Sequence, residues 1–180
     1  MDDILLTGKE IKCGAMAVLG RYPNKAESDV ITRCSRGNIL KADAEALVNP
    51  VNCAGSMGKG LALQFKKAFP ENFKAYELAC KNRNMRLGKV LVFETGYTFK
   101  PKYIINFPTK RHWQDRSRLE DIEIGLQSLV DEVIARRIKT IAVPPLGCGL
   151  GGLSWETVRP MVEKAFSQFP NVKVFLFEPR

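Results

Sequence analysis

The sequence predicts an α/β sandwich built on a mixed, mostly parallel sheet. From Val30 onward, short apolar β-rich runs alternate with segments of helical periodicity, the pattern of strands crossing over through helices. Two glycine-rich stretches, Asn52–Gly60 and Leu146–Gly152, each lie between such a run and a helix. The length, 180 residues, suits one domain with a core of its own.

The first thirty residues are the least patterned. Ile11–Leu19 reads as a strand and Arg21-Tyr-Pro-Asn-Lys25 as a turn. Residues 1–30 are too short for a second core, so they are assigned as an N-terminal extension to a domain spanning 31–180. Ile31–Arg36 and Ala46–Asn49 are then expected as strands. Leu61, Phe65 and Ala68 recur at helical spacing within Gly58–Ala68, and Phe69-Pro70 closes that helix. Glu71–Asn82 is expected to be helical. Lys89–Thr95 and Tyr103–Phe107 read as strands around a Gly-Tyr-Thr-Phe-Lys-Pro connection. Ile122, Leu126, Leu129, Val133 and Ile134 mark one face of a helix from Leu119 to Arg136. Thr140–Val143 is a strand, Ser154 is placed to cap a helix running to Gln168 that Pro160 kinks, and Val172–Phe177 is the last strand.

Composition narrows the function classes. An apolar share of 45% with 26% charged residues is ordinary for a soluble domain. No apolar run approaches the roughly 20 residues a membrane span needs, and the N-terminus does not read as a signal peptide. Five cysteines without a CxxC pair argue against a zinc site or disulfide framework and for a reducing cytoplasm. A single histidine, His112, excludes a multi-histidine metal centre, and no cofactor is expected. The net charge of +9 suits a polyanionic partner. Six Lys/Arg and one acid, Asp115, fall between Lys100 and Arg118.

Both glycine loops have the context of an anion site, because a helix N-terminus and closely approaching backbone amides favour phosphate. Gly147, Gly149 and Gly152 satisfy GxGxxG, yet fewer than thirty residues follow, too few for further dinucleotide-fold units. The first loop is not a triphosphatase loop, since Gly60 stands where Ser/Thr would bind magnesium and Cys53 replaces the leading glycine.

Arg36-Gly-Asn-Ile-Leu40, Ala46-Leu-Val-Asn-Pro-Val-Asn52, Gly55-Ser-Met-Gly-Lys-Gly60 and Pro145-Leu-Gly-Cys-Gly-Leu-Gly-Gly-Leu153, in this order, resemble a macrodomain. The resemblance runs from about Ile31 to the C-terminus and implies a three-layer α/β/α sandwich that binds ADP-ribose. Within the family, residues 57–67 and Asn106–Trp113 resemble the branch holding the animal terminal ADP-ribose glycohydrolases and, more closely, the DarG-type antitoxins, which free thymidine in DNA of ADP-ribose. The resemblance implies the following roles. Asn38, where an aspartate is usual, and Ile39 meet adenine. Asn52, Met57, Gly58 and Lys59 line the distal ribose. Gly147, Cys148, Gly149, Leu150 and Gly151 form the diphosphate loop.

Lys110 aligns with the catalytic lysine of that branch. An amine there could add to the anomeric carbon as a Schiff base or transfer a proton. The animal enzymes pair this lysine with an aspartate in the second loop, where this chain has Gly151. His112 and Trp113 are possible accessory groups: the histidine as a phosphate contact, the tryptophan stacked on an unpaired base or else packed in the core. Asn49 is expected to stabilise a turn. The partners implied are an ADP-ribosylated substrate, DNA, and a cognate ADP-ribosyltransferase toxin. Three functions remain open at this point: a hydrolase acting on DNA; a hydrolase of ADP-ribosylated protein, O-acetyl-ADP-ribose or ADP-ribose 1″-phosphate; and a non-enzymatic ADP-ribose reader.

Overall fold

A computed structural model describes residues 30–179. The extension, with its expected strand at 11–19 and turn at 21–25, lies almost entirely outside the described residues. Six strands form one sheet: β1 (Ile31–Cys34), β2 (Ala46–Asn52), β3 (Leu91–Glu94), β4 (Tyr103–Lys110), β5 (Thr140–Val143) and β6 (Lys173–Phe177). Their order is β1-β6-β5-β2-β4-β3. Every neighbouring pair is parallel except β3 with β4. The helices are α1 (Gly60–Ala68), α2 (Pro70–Lys81), α3 (Leu119–Ala135) and α4 (Trp155–Phe166). No helix among the described residues is long and apolar enough to cross a membrane.

Alternation along each strand sorts the side chains into two cores. Val48, Ile105, Phe107, Ile141 and Val143 pack beneath α3 and α4 with Leu126, Leu129, Val158 and Val162. Leu47, Ile104 and Ala142 point the other way, onto Phe65 and Phe69. A third cluster, Val51, Met57, Tyr76 and Met85, seats α2 under the first loop. The layers are thus α3 and α4, sheet, α1 and α2. Gly125 lets α3 lie directly on β4, since a Cβ there would come within 2.4 Å of the Phe107 ring.

Element identities follow the sequence, but several ends move. β2 does not stop at Asn49; it runs through Pro50 to Asn52. A proline is tolerated because β5 pairs with β2 only at Ala46 and Leu47 and has left it before Pro50. β4 does not stop at Phe107; it continues through Pro108 to Lys110, so Lys110 is the last residue of the strand and does not lie past its end. α1 starts at Gly60, two residues later than expected. Ile134 is exposed and does not belong to the buried face of α3. Ser154 occupies the N-cap position of α4, yet its hydroxyl bonds the Glu156 carboxylate and caps no amide. The helix continues through Pro160.

Candidate active site

The cleft is a consequence of strand order. After the Leu47–Ala142 pair, β2 and β5 separate, and the chain leaves them toward opposite halves of the sheet. Such a divergence opens a crevice at the carboxyl ends of the strands. Here it holds a cavity of about 420 Å³, within the usual range for small-molecule sites. Pro50–Asn52, Thr109 and Lys110 form its floor, Ser56 and residues 58–62 of the first loop and the start of α1 one wall, and Pro144, Pro145 and the second loop the other, with Trp113 at the rim. Among the described residues that line it, Lys59 and Lys110 are the ionisable side chains and none is a carboxylate.

Asn52 shapes the first loop. Its Oδ1 accepts from the Ala54 amide at 2.8 Å and the Tyr76 hydroxyl at 3.0 Å, and its Nδ2 donates to the Ser56 carbonyl at 2.7 Å. The same tyrosine hydroxyl donates to the Asn52 carbonyl at 2.8 Å. The carboxamide oxygen is therefore engaged in holding the turn, while one Nδ2 proton is left over and Asn52 still lines the cleft. Burial pushes the Tyr76 hydroxyl well above its ordinary range, so it stays a donor. The loop delivers the chain to α1, whose N-cap Lys59 makes no side-chain cap. The first turn of that helix, Gly60, Leu61 and Ala62, lines the cleft with its positive dipole end uncapped. Met57 is buried beneath this loop and does not line the cavity.

The second loop turns at Gly147 (φ 73°) and Gly152 (φ 77°), where a side chain would be strained. Internal bonds run from Cys148 to Pro145, Gly152 to Gly149 and Leu153 to Gly147. The amides of Gly149, Leu150 and Gly151 find no protein acceptor among the described residues, so they are available to an anion. Gly151 is enforced by packing. A Cβ at that position would lie 2.3 Å from both the Gly147 carbonyl oxygen and the Ser117 hydroxyl. An aspartate at this point has no room, which accounts physically for its absence. The Ser117 amide donates to the Gly151 carbonyl at 3.0 Å, while its buried hydroxyl has no hydrogen-bond partner among the described residues.

Lys110 is only 8% exposed. Its Nζ donates to the carbonyl oxygens of Asp115 and Leu150, both at 2.8 Å, and reaches that of Trp113 at 3.5 Å. It thereby ties the second loop to the turn at 112–115, a turn closed by the Asp115 carboxylate on the His112 amide. Burial pulls the lysine below its ordinary range, and the Asp115 charge opposes that shift. Carbonyl acceptors around the ammonium also favour the charged form. The 3.5 Å contact is long for a hydrogen bond, so the proton directed at the Trp113 carbonyl is the most weakly held of the three.

Other expected positions fall elsewhere. Asn38 caps a short 3-10 turn at Ile39–Lys41, its side chain accepting from the Leu40 amide, and Ile39 is buried in the second core cluster. Neither lines the cavity, and neither does Cys148 or His112. Burial pushes the Cys148 thiol up to about 11. Asn49 stabilises no turn; it donates to Asn106, which pairs with Asn72, joining β2, β4 and α2. Trp113 is 52% exposed, not packed in the core. The basic run is split. Lys100 and Lys102 sit before β4, where they pair with Asp43 and Glu45, whereas Lys110, Arg111, Arg116 and Arg118 follow at its far end. Tyr76, Thr109 and Ser117 were not singled out in the sequence. Only Thr109 had a local signal, as the neighbour of Lys110.

The Macro domain family profile matches residues 48–162. The DNA ADP-ribosyl glycohydrolase of Thermus aquaticus is 48% identical over 147 residues, which are 82% of this chain and 41% of that protein. The chain therefore spans less than half the length of this curated relative. Among solved structures, the macrodomain of Mycobacterium tuberculosis DarG superposes with a TM-score of 0.82 at 51% identity, covering 83% of this chain and 98% of that one. Thermosipho africanus DarTG in complex with ADP-ribose gives 0.73 at 33% identity, covering 79% and 40% respectively. A divergent-strand cleft walled by two glycine loops, the family profile and these neighbours lead to one conclusion: the chain belongs to the macro domain family.

Proposed function

We propose that this chain is a DNA ADP-ribosyl glycohydrolase that removes ADP-ribose from thymidine, with Lys110 as its catalytic residue. The observation that carries the reading is a cleft whose described lining residues include no carboxylate and whose floor holds a buried lysine between two anion-ready loops. The diphosphate lies against the amides of Gly149, Leu150 and Gly151 and the N-terminus of α1, near Lys59. The distal ribose then reaches Lys110. The similarity to a structure holding ADP-ribose and to a protein named for this activity supports the assignment.

Of the two roles open to Lys110, its surroundings favour proton transfer. A lysine lowered from its ordinary range, yet seated on carbonyl acceptors, is a stronger acid than a free lysine and is held in the protonated form. As the bond from the anomeric carbon to the base breaks, its electron pair goes to the base, which takes a proton from Lys110. Water adds to the anomeric carbon and returns a proton to the amine, releasing free ADP-ribose. A cognate ADP-ribosyltransferase in the same cytoplasm would supply the substrate.

The reader hypothesis has one specific point in its favour: a purely structural lysine would also spend its protons on carbonyls. The deciding experiment compares ADP-ribosylated DNA, RNA and protein as substrates for wild type and Lys110→Ala. Release from DNA by wild type alone is expected. Full turnover by Lys110→Ala sinks the mechanism, and binding without turnover of any substrate by wild type makes the chain a reader.

A further inference from the structure

We infer that Trp113 and Leu150 form a subsite for the group being released, and that it takes a flat, unpaired nucleobase. The inference rests on the proposed function, because it concerns what hangs from the anomeric carbon at Lys110. Leu150 is 70% exposed and Trp113 52% exposed, and both line the same cleft as Lys110. The other large exposed apolar side chains of the described surface lie on α2, α3 and the β3–β4 connection, away from it. The backbone carbonyls of these two residues are among the oxygens on which the Lys110 ammonium rests. One comes from the second loop and the other from the 112–115 turn, so the two side chains are carried by two separate segments that both hold the lysine. A group attached to a carbon at Lys110 leaves between them.

The chemistry of this exit is selective. An indole and a leucyl group left in water at the edge of a cleft gain by covering an apolar face. The indole lies at 5.1 Å and 40° from the His112 ring, which restrains it while leaving half of it open. Bases offer such a face whatever their identity, and stacking on an aromatic side chain changes affinity by roughly ten- to hundredfold. A carboxylate ester or a phosphate presents no such face. A base inside a duplex has both faces occupied, so it must be single-stranded or extruded before it enters. Arg111 and Arg116, exposed on either side of Trp113 in the chain, are placed for the flanking phosphates.

The test uses fluorescence as well as turnover. The chain has two tryptophans, so Trp155→Phe leaves Trp113 as the reporter. Lys110 is kept, because it ties the second loop to the 112–115 turn, and quenching is read by stopped flow before turnover. A single-stranded oligonucleotide carrying thymidine-linked ADP-ribose should quench Trp113, while ADP-ribose alone and an ADP-ribosyl-glutamate peptide should not. Trp113→Ala should weaken binding of that oligonucleotide at least tenfold, leave the Kd for ADP-ribose within twofold, and be rescued largely by Trp113→Phe. Leu150→Ala should act in the same direction. In turnover, Trp113→Ala should lower kcat/KM for the single strand tenfold or more, and a fully paired duplex should be the poorer substrate for wild type. Equal quenching by the peptide, an equal loss for free ADP-ribose, or equal binding of duplex and single strand overturns the subsite. Because quenching and binding need no catalysis, a wild type that fails to hydrolyse DNA refutes the glycohydrolase reading without deciding this one.

Discussion

Adding one methyl group at Gly151 is the sharpest perturbation of this site. In Gly151→Ala the new Cβ meets the Gly147 carbonyl oxygen and the Ser117 hydroxyl, each 2.3 Å away, against an ordinary contact of 3.4 Å or more. The loop must shift by about 1 Å to relieve both, and overpacking of this kind costs about 1–3 kcal/mol. For a domain of this size, that corresponds to roughly 2–4 °C in Tm per kcal/mol. The shift also carries away the free amides of Gly149, Leu150 and Gly151. A hydrogen bond to a charged group contributes about 1.5–3 kcal/mol, so losing one lowers affinity by roughly ten- to hundredfold. Calorimetric titration with ADP-ribose and thermal unfolding measure the two effects separately. Ser117→Ala should relieve only half of the clash, so the double variant should recover little. A Gly151→Ala protein with wild-type Tm and wild-type ADP-ribose affinity would refute the rigid-loop reasoning. Gly151→Asp should be worse than Gly151→Ala, despite restoring the residue that the animal enzymes carry.

Three further outcomes are expected. Because the native Lys110 lies below its ordinary range, the unfolded chain holds a proton that the native chain has lost between that lowered value and about 10.4. Stability should therefore rise with pH across that window, and Lys110→Met should flatten the rise in denaturant titrations. Burial pushes the thiols of Cys53 and Cys148 from 9.0 up to about 11. About a hundredfold less thiolate should make both correspondingly slow toward iodoacetamide near neutral pH, as peptide mass spectrometry would reveal; alkylation at the rate of a free cysteine contradicts the burial. Finally, Arg111→Gln with Arg116→Gln should weaken DNA binding and reduce its salt dependence, whereas Lys100→Gln with Lys102→Gln should do neither, since those lysines lie at the other end of β4. Equal effects from the two pairs would mean that DNA follows the whole run.

The layered fold was legible because its signals are local. Apolar periodicity, Phe69-Pro70 between two helices and glycine loops at strand ends all act within a few residues of one another. The strand ends are less local: Pro50 and Pro108 have the chemistry of strand breakers, yet both strands continue through them. The sheet itself determines where a proline is tolerated, by which neighbour has already departed.

Much the same division applies to the cleft. By itself, the sequence determined that two glycine loops flank strand ends, and its resemblance to the family implied Lys110 as the candidate for chemistry and an aspartate missing from the second loop. Only the tertiary structure decided that Lys110 is buried on the Leu150 carbonyl, forty residues away, and that the Asn52 carboxamide oxygen is engaged by its own loop and Tyr76. It likewise decided that Ser117 and Gly147 leave no space for a side chain at position 151. These are contacts between segments distant in the chain, set by strand order and register. No periodicity or motif encodes them, because the residues involved become neighbours only when the sheet brings the ends of β2, β4 and β5 together.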